Sequence, residues 1–282
     1  MPIELREVSY TYAPGTVYES RALDGLSLRV RDGEFVGVMG RTGCGKSTLI
    51  QLIAGLLKPS AGQILLDGED INDKHYDRDT LRRKIGVVFQ FPEIQLFETT
   101  VARDVAFGLR HFGWTVEEKN AAVREALERL GFDYEAVCDK SPLGFSGGEK
   151  RRLAIAGVLA ARPEILILDE PVAGLDPLGR DAFLQLLDEL NRAGTTILMI
   201  SHSADALAEH AQRIVILKDG QLLRDGPTEE VFSDHAALKA DGIGAGQVRE
   251  TVELLRQRGV DIPADTVRYE QLLSAVCGRW PR

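Results

Sequence analysis

Apolar residues in this chain form short runs that are separated by segments with helical spacing. Leu26, Leu28 and Val30 alternate with polar residues, which predicts a strand with one buried face. Nearly continuous apolar runs predict strands buried on both faces, at Phe35 to Met39, Ile85 to Phe89, Ile165 to Leu168, Thr196 to Ile200 and Ile214 to Leu217. Helical patterns between several of these runs indicate an α/β fold around a mainly parallel sheet.

Helical periodicity replaces the strand pattern from about residue 91 to residue 161. One predicted helix has apolar residues at i, i+3, i+4 and i+7, namely Val123, Ala126, Leu127 and Leu130. Thr115 and Glu118 have capping-box spacing at its start, and Gly131 follows its end. We therefore expect an inserted helical subdomain at about 91–161.

The segment after Gly226-Pro227 predicts an appendage outside the main sheet. It contains two or three helix-like pieces, one with Val248, Val252 and Leu255 on the same face. We expect a main domain at 1–234 and a helical extension at 235–282.

Composition excludes several classes of protein. With 44% hydrophobic and 27% charged residues, the chain has the composition of a soluble globular protein. Its formal net charge of -9 argues against a nucleic-acid partner held by phosphate contacts. The apolar runs are far shorter than the roughly 20 residues that span a bilayer. The start of the chain lacks the features of a secretory signal, so we expect a cytoplasmic protein.

Residues 40–47 match the phosphate-loop pattern G-x-x-x-x-G-K-S/T between a predicted strand and a predicted helix at Lys46 to Leu57. The glycines let backbone N–H groups curl around phosphate oxygens, and the helix N-terminus adds partial positive charge. Lys46 is expected to reach the terminal phosphates, and Ser47 to ligate Mg²⁺. The predicted ligand of this loop is a chain of phosphate groups together with Mg²⁺.

Two further segments carry candidate chemistry. The strand Ile165 to Leu168 ends in Asp169 and Glu170, of which one acid suits Mg²⁺ and the other suits activation of water. Alone, such a pair is more often a solvated loop or a helix cap, but the phosphate loop upstream favours the functional role. Ser146-Gly147-Gly148-Glu149 opens a predicted helix and offers a second phosphate-binding N-terminus, although a simple helix start capped by Ser146 has the same pattern.

The order of these segments resembles an ATP-binding cassette ATPase over about residues 3–232. The resemblance implies a phosphate-loop NTPase cassette with a mainly parallel core sheet, an antiparallel β subdomain, an inserted helical subdomain and a small helical C-terminal extension. It also implies ATP hydrolysis by a head-to-tail pair of subunits, in which the signature segment of one closes over the nucleotide of the other. The implied catalytic residues are Glu170, His202 and Gln90; the implied metal ligands are Ser47, Gln90 and Asp169; and the implied nucleotide-binding residues are Tyr12, Gly40, Arg41, Thr42, Gly43, Cys44, Gly45, Lys46, Ser47, Thr48, Ser146, Gly147, Gly148, Glu149 and Asp176.

Some of these roles have local alternatives. Tyr12 resembles the aromatic residue that stacks on adenine, but Tyr10 or a plain packing role for Tyr12 are alternatives. A lone histidine such as His202 is usually structural, and its place after a predicted strand favours the functional role.

A narrower resemblance, to the ATPases of energy-coupling factor transporters, rests on 89–97, 156–160 and 174–177. It implies a peripheral protein at the cytoplasmic face of the cell membrane that energises uptake of a vitamin or a transition-metal ion. The implied partners are a transmembrane scaffold protein, a small substrate-capture membrane protein and a second ATPase subunit in a homodimer or heterodimer. The apolar segment after Gln90 is then expected to contact the scaffold, and the extension at 235–282 to hold the ATPase pair together.

Two residues depart from the family pattern. Glu149 stands where the signature usually has glutamine, which adds negative charge near the triphosphate. Cys44 stands where this subfamily usually has serine, at a helix N-terminus that favours a reactive thiol, so we expect thiol reagents to block ATP binding.

The alternatives are a soluble cassette ATPase acting on ribosomes or DNA, the ATPase of another importer class, a phosphate-loop kinase and a nucleotide-gated scaffold without turnover. The acidic charge and the single cassette argue against the first. A kinase has no use for the signature segment, and Glu170 argues against loss of turnover.

Overall fold

The computed structural model describes residues 3–278. Its strands are β1 (Ile3–Tyr12), β2 (Ser20–Val30), β3 (Phe35–Gly40), β4 (Ala61–Leu66), β5 (Glu69–Asp70), β6 (Ile85–Val88), β7 (Ile165–Asp169), β8 (Thr196–Ile200), β9 (Arg213–Lys218) and β10 (Gln221–Pro227). Its helices are α1 (Lys46–Ile53), α2 (Arg78–Lys84), α3 (Val101–Ala106), α4 (Val116–Arg129), α5 (Tyr134–Val137), α6 (Gly147–Leu159), α7 (Pro177–Arg192), α8 (Ala204–His210), α9 (Thr228–Ser233), α10 (His235–Ala240), α11 (Gln247–Gln257) and α12 (Tyr269–Cys277). The first two residues of the predicted domain 1–234 and the last four of the predicted extension 235–282 lie outside the described residues.

The chain divides into two compact units. The first unit contains the chain up to Asn72 and again from Leu198 onward, and the second unit is Asp73–Ile197. Helices and short 3-10 turns occupy most of 92–159 within the second unit. The domain boundaries at 91, 161 and 234 stay predictions.

The first unit holds two groups of strands. One is an antiparallel sheet with the order β2-β1-β4-β5. In the other, β10, β9, β3 and the part of β8 after residue 197 follow one another in that order. β3 and β9 are parallel with Val36 opposite Arg213, whereas β9 and β10 are antiparallel. Both kinds of sheet expected from the sequence are therefore present.

The second unit carries the parallel pair β6 and β7, with Ile85 opposite Ile165. Every residue of β7 is buried, as is every residue of β3 and β8. This agrees with the continuous apolar runs, because a strand covered on both faces has no solvent side to make polar. Within residues 3–278, no helix has the length and apolar character needed to cross a membrane.

Helix ends follow local signals. The capping box predicted at Thr115 and Glu118 is present at the start of α4. The predicted helix from Lys46 to Leu57 was too long, because α1 ends at Ile53. Gly55 has φ of 68°, a left-handed conformation that stops the helix there.

Candidate functional site

A tight loop joins β3 to α1 in the first unit. Gly40 and Gly45 have φ of 152° and 106°. A Cβ atom on Gly40 would lie 2.4 Å from the carbonyl oxygen of Leu217, and one on Gly45 would lie 2.5 Å from that of Ala22. Only glycine fits at these two positions, so the pattern in the sequence reflects close packing of the loop against its neighbours.

Lys46 is folded into this loop. Its Nζ donates to the carbonyl oxygens of Gly40 at 2.6 Å and Arg41 at 3.0 Å, and the residue is only 8% exposed. The Gly220 N–H donates to the Cys44 carbonyl at 3.1 Å, so the turn between β9 and β10 is hydrogen-bonded to the loop. Arg41, Thr42, Gly43 and Ser47 are exposed. A lysine ammonium beside exposed loop residues at a helix N-terminus is an arrangement that binds anions.

Cys44 is buried, in contrast to a freely reactive thiol. It is 4% exposed, and its Sγ lies 3.9 Å from the Nζ of Lys46. A thiol reagent therefore reaches Cys44 only when the loop opens. The expected block of ATP binding by thiol reagents depends on that opening and stays a prediction.

Tyr12 is anchored on the helix that follows the loop. Its hydroxyl lies 3.1 Å from Oγ1 of Thr48 and donates to Oε1 of Gln51 at 3.4 Å. Tyr10 packs against the Tyr12 ring edge-on, with centroids 4.8 Å apart. Tyr12 as a whole is 39% exposed beside α1, which leaves it available for stacking.

His202 lies in the first unit, between β8 and α8. Ser201 before it is buried and donates its N–H to the Val38 carbonyl of β3 at 3.4 Å. Ser203 after it is the N-cap of α8, and its Oγ accepts from the Ala206 N–H at 3.3 Å. The exposed His202 is thus held between a strand end and a helix cap.

Asp169 and Glu170 end β7 in the second unit. Asp169 is buried, and Glu170 is half-buried with φ of 50°. A left-handed conformation at a residue other than glycine is uncommon and is found often at functional positions.

Arg151 on α6 holds the backbone that follows β7, and sequence reasoning did not single it out. Its Nη2 donates to the Glu170 carbonyl at 2.5 Å and its Nε to the Pro171 carbonyl at 2.9 Å. Its Nη1 lies 3.9 Å from Oε2 of Glu93. Burial lowers the pKa of the Arg151 guanidinium, while Glu93 and Glu170 act in the opposite direction. The available signal was an arginine on the apolar side of a predicted helix.

The segment Ser146–Glu149 forms a capping box at the start of α6. The Ser146 hydroxyl donates to Oε2 of Glu149 at 2.7 Å, and the Ser146 N–H donates to the same oxygen at 2.8 Å. The bond from the Ser146 hydroxyl lowers the pKa of the Glu149 carboxyl. The simple cap is therefore present, and binding of a phosphate by Ser146, Gly147 and Gly148 stays a prediction.

Gln90 and Asp176 complete the predicted set in the second unit. Gln90 is exposed just after β6, and Phe91 next to it has φ of 57°. Asp176 is the N-cap of α7, where its Oδ1 accepts from the Gly179 N–H at 2.7 Å. The first unit thus groups Tyr12, residues 40–48 and His202, and the second unit groups the other predicted residues.

Comparison with known proteins identifies the family of this chain. A family model described as ABC transporter matches residues 23–173, more than half of the chain. A second model, described as an AAA domain, matches only 141–209. Two curated relatives are named energy-coupling factor transporter ATP-binding protein EcfA2. The protein of Clostridium acetobutylicum is 45% identical over 96% of this chain and 95% of its own length. That of Symbiobacterium thermophilum is 46% identical over 99% of this chain and 96% of its own length.

Solved structures give the same result at the level of the fold. The cbiO1 protein of Clostridium perfringens, described as part of the ABC transporter complex cbiONQ, has a TM-score of 0.73 and 36% identity. It covers 90% of this chain, and the chain covers 98% of it. A dimeric ATP-binding cassette in a post-hydrolysis state with ADP and Pi has a TM-score of 0.71 and 33% identity, over 80% of this chain and 98% of its own. The expected cassette fold is confirmed.

Proposed function

The chain belongs to the ABC transporter family of ATPases, and from this premise we propose that it binds and hydrolyses ATP to energise micronutrient uptake through an energy-coupling factor transporter. The observation that carries the proposal is the extent of the similarity. Relatives with the energy-coupling factor name align over 96% and 99% of the chain, whereas a general cassette aligns over 80%. The similarity to that transporter class therefore includes the extension after the cassette.

We assign phosphate binding to the loop between β3 and α1 in the first unit. Lys46 exchanges the carbonyls of Gly40 and Arg41 for phosphate oxygens, with the helix N-terminus of α1 beside it. The ring of Tyr12 stacks on the adenine, and its bond to Thr48 ties it to the helix that carries Lys46. His202 contacts the terminal phosphate.

Residues of the second unit supply the proposed chemistry. Glu170 accepts a proton from the attacking water, and Arg151 keeps its backbone in place. Ser146, Gly147, Gly148, Glu149 and Asp176 face the nucleotide of a second ATPase subunit.

The donors of Ser47, Gln90 and Asp169 fit Mg²⁺, because hydroxyl, amide and carboxylate oxygens are the hard ligands that this ion prefers. When bound, Mg²⁺ neutralises charge on the phosphate oxygens.

An exposed apolar surface in the second unit suits the proposed membrane scaffold. We define it by Phe91, Ile94 and Phe97, all of which are exposed. Asp104 fixes this segment, because its Oδ2 accepts from the N–H groups of Phe97 at 2.9 Å and Glu98 at 2.7 Å. The surface supports a peripheral position at the cytoplasmic face of the membrane, with a separate small membrane protein capturing the vitamin or metal ion.

The test is purification of the tagged chain from gently solubilised membranes, followed by mass spectrometry and an ATPase assay. We expect a transmembrane scaffold, a small substrate-capture protein and a second ATPase subunit, with ATP turnover in the recovered complex. Glu170→Gln keeps the shape of the side chain and removes the base, so the complex should persist while turnover falls by about 100-fold or more. Recovery of ribosomes or DNA-bound proteins in place of membrane proteins would overturn the proposal.

A further inference from the structure

The helix after His202 provides the N-terminal caps of two helices that lie far away in the chain. Asp205 and Glu209 are one turn apart on α8 and half-buried. The Asp205 carboxylate accepts from the N–H groups of Gln247 at 2.9 Å and Val248 at 3.2 Å, at the start of α11. Oε1 of Glu209 accepts from the Tyr269 N–H at 2.5 Å, at the start of α12.

At the start of α11 and of α12, no backbone N–H donates to the side chain of the helix's own N-cap residue; at α12, Oε1 of Gln271 accepts from the Arg268 N–H at 3.0 Å. The N-cap of α11 is Gly246, and a Cβ atom there would lie 2.4 Å from Oδ1 of Asp205. The carboxylate of Asp205 therefore sits where a capping side chain of α11 would otherwise be. A negative charge at this place satisfies N–H groups that the helix leaves unpaired, and it also interacts favourably with the helix dipole.

The opposite side of α8 is pressed against the sheet that carries the phosphate loop. Leu207 is fully buried, and a Cβ atom on Gly37 of β3 would lie 2.9 Å from its Cδ2. The short α8 is thus held between β3 and the described part of the extension, residues 235–278. The N-cap of α8 is Ser203, which lies two residues before Asp205 and directly after His202.

Two more contacts link α8 and the phosphate loop to the extension and the helix before it. The guanidinium of Arg268 donates to the Ala208 carbonyl at 3.0 Å and pairs with Glu229 at 2.8 Å. A Cβ atom on Gly242 would lie 3.4 Å from Cδ of Arg41, so the backbone before α11 reaches the phosphate loop.

We infer that Asp205 and Glu209 are positioning residues that make the placement of His202, and hence ATP hydrolysis, depend on the C-terminal extension. The inference rests on the proposed role of His202. It gives the extension a regulatory part within one subunit, separate from any part in holding two subunits together.

The test compares Asp205→Ala with Asp205→Asn and with the matched control Asp234→Ala. Asp234 is the N-cap of α10, the first helix of the extension, and its Oδ1 accepts from the Ala237 N–H at 3.1 Å. Its Oδ2 pairs with Arg224 at 3.2 Å, and neither contact involves α8. Hydrogen exchange of the amides at 201–204 is measured in the chain without nucleotide. The kcat and KM for ATP are measured in the assembled transporter.

For Asp205→Ala we expect exchange at 201–204 to rise and kcat to fall, each by roughly fivefold, the factor that loss of a helix cap implies. The KM for ATP should change less than twofold, and Asp205→Asn should restore at least half of kcat because it keeps one acceptor oxygen. Asp234→Ala should leave both readouts at the wild-type value. If Asp205→Ala does not fold, Glu209→Ala tests the same coupling at α12.

A variant that unfolds at a lower temperature but keeps wild-type exchange at 201–204 and wild-type kcat would overturn the inference. Absence of turnover in the wild-type complex would instead contradict the proposed function, and the exchange measurement would still decide whether the extension holds α8.

Discussion

Replacing Arg151 by methionine should separate the contribution of two hydrogen bonds from that of an ion pair. The substitution removes the donors to the Glu170 and Pro171 carbonyls, and unsatisfied buried carbonyls cost about 1–3 kcal/mol each. Part of this cost is offset, because burial disfavours the charged guanidinium and lowers its pKa. We expect the free energy of unfolding to fall by about 2–4 kcal/mol.

The contribution of Glu93 should be much smaller. Its carboxylate lies 3.9 Å from Arg151 and its side chain is 25% exposed, so Glu93→Gln should cost at most about 1 kcal/mol. Arg152→Met is the matched control on the same helix. The Arg152 guanidinium lies 5.3 Å from the centroid of Phe132, a cation–π contact that should contribute below about 1 kcal/mol.

The assay is urea unfolding of the full chain followed by circular dichroism, with ATP turnover of the assembled complex measured well below the unfolding temperature. Turnover of Arg151→Met should fall about tenfold or more, because 1.4 kcal/mol of lost positioning at Glu170 corresponds to a factor of ten. Equal destabilisation by Glu93→Gln and Arg151→Met would refute the reasoning, since the ion pair would then be the dominant interaction.

Three other predictions concern the nucleotide loop and the signature segment. Lys46→Ala should weaken ATP binding by about 10- to 100-fold, measured by calorimetry, and unchanged affinity would count against the phosphate loop. Glu149→Gln should strengthen ATP binding and raise turnover in the assembled complex, because the change removes a negative charge and keeps an acceptor for Ser146. Because the pKa of Glu149 is lowered, its carboxylate stays charged until the pH falls below the usual carboxyl value of 4.5. The ATP affinities of wild type and Glu149→Gln should therefore still differ at pH 5.5. Equal affinities at that pH would contradict a role for the negative charge of Glu149. Mass spectrometry after brief alkylation should show the exposed Cys277 labelled well before the buried Cys44, and the reverse order would show that the loop opens readily.

The sequence was most informative where a role depends on neighbours in the chain. Residues 40–47 are recognisable because the strand, the glycines and Lys46 are contiguous, and the capping box of α4 needs only Thr115 and Glu118. Arg151 could not be found in this way, because the carbonyls that it binds belong to Glu170 and Pro171.

The capping roles of Asp205 and Glu209 could not be predicted from the sequence either. Acidic residues on a short helix predict only solvent contact, and their partners at Gln247 and Tyr269 are about 40 and 60 positions away. The predicted end of α1 was wrong because a local pattern was misleading. Apolar Leu56 and Leu57 extend the helical spacing past Gly55, whose left-handed conformation ends the helix.

The first unit is built from both ends of the chain, and this affects the order of events during synthesis. At roughly 5–20 residues per second, Asp73–Ile197 takes on the order of 10 s to be translated between the two halves. The fully buried β3 must wait for its parallel partner β9, and the Cys44 carbonyl must wait for Gly220. A nascent chain stopped near residue 197 therefore exposes an apolar strand that chaperones can recognise, and we expect it to lack a finished nucleotide loop. Because ATP binding then begins only when translation is nearly over, incomplete chains should not compete for nucleotide or for a place in the transporter.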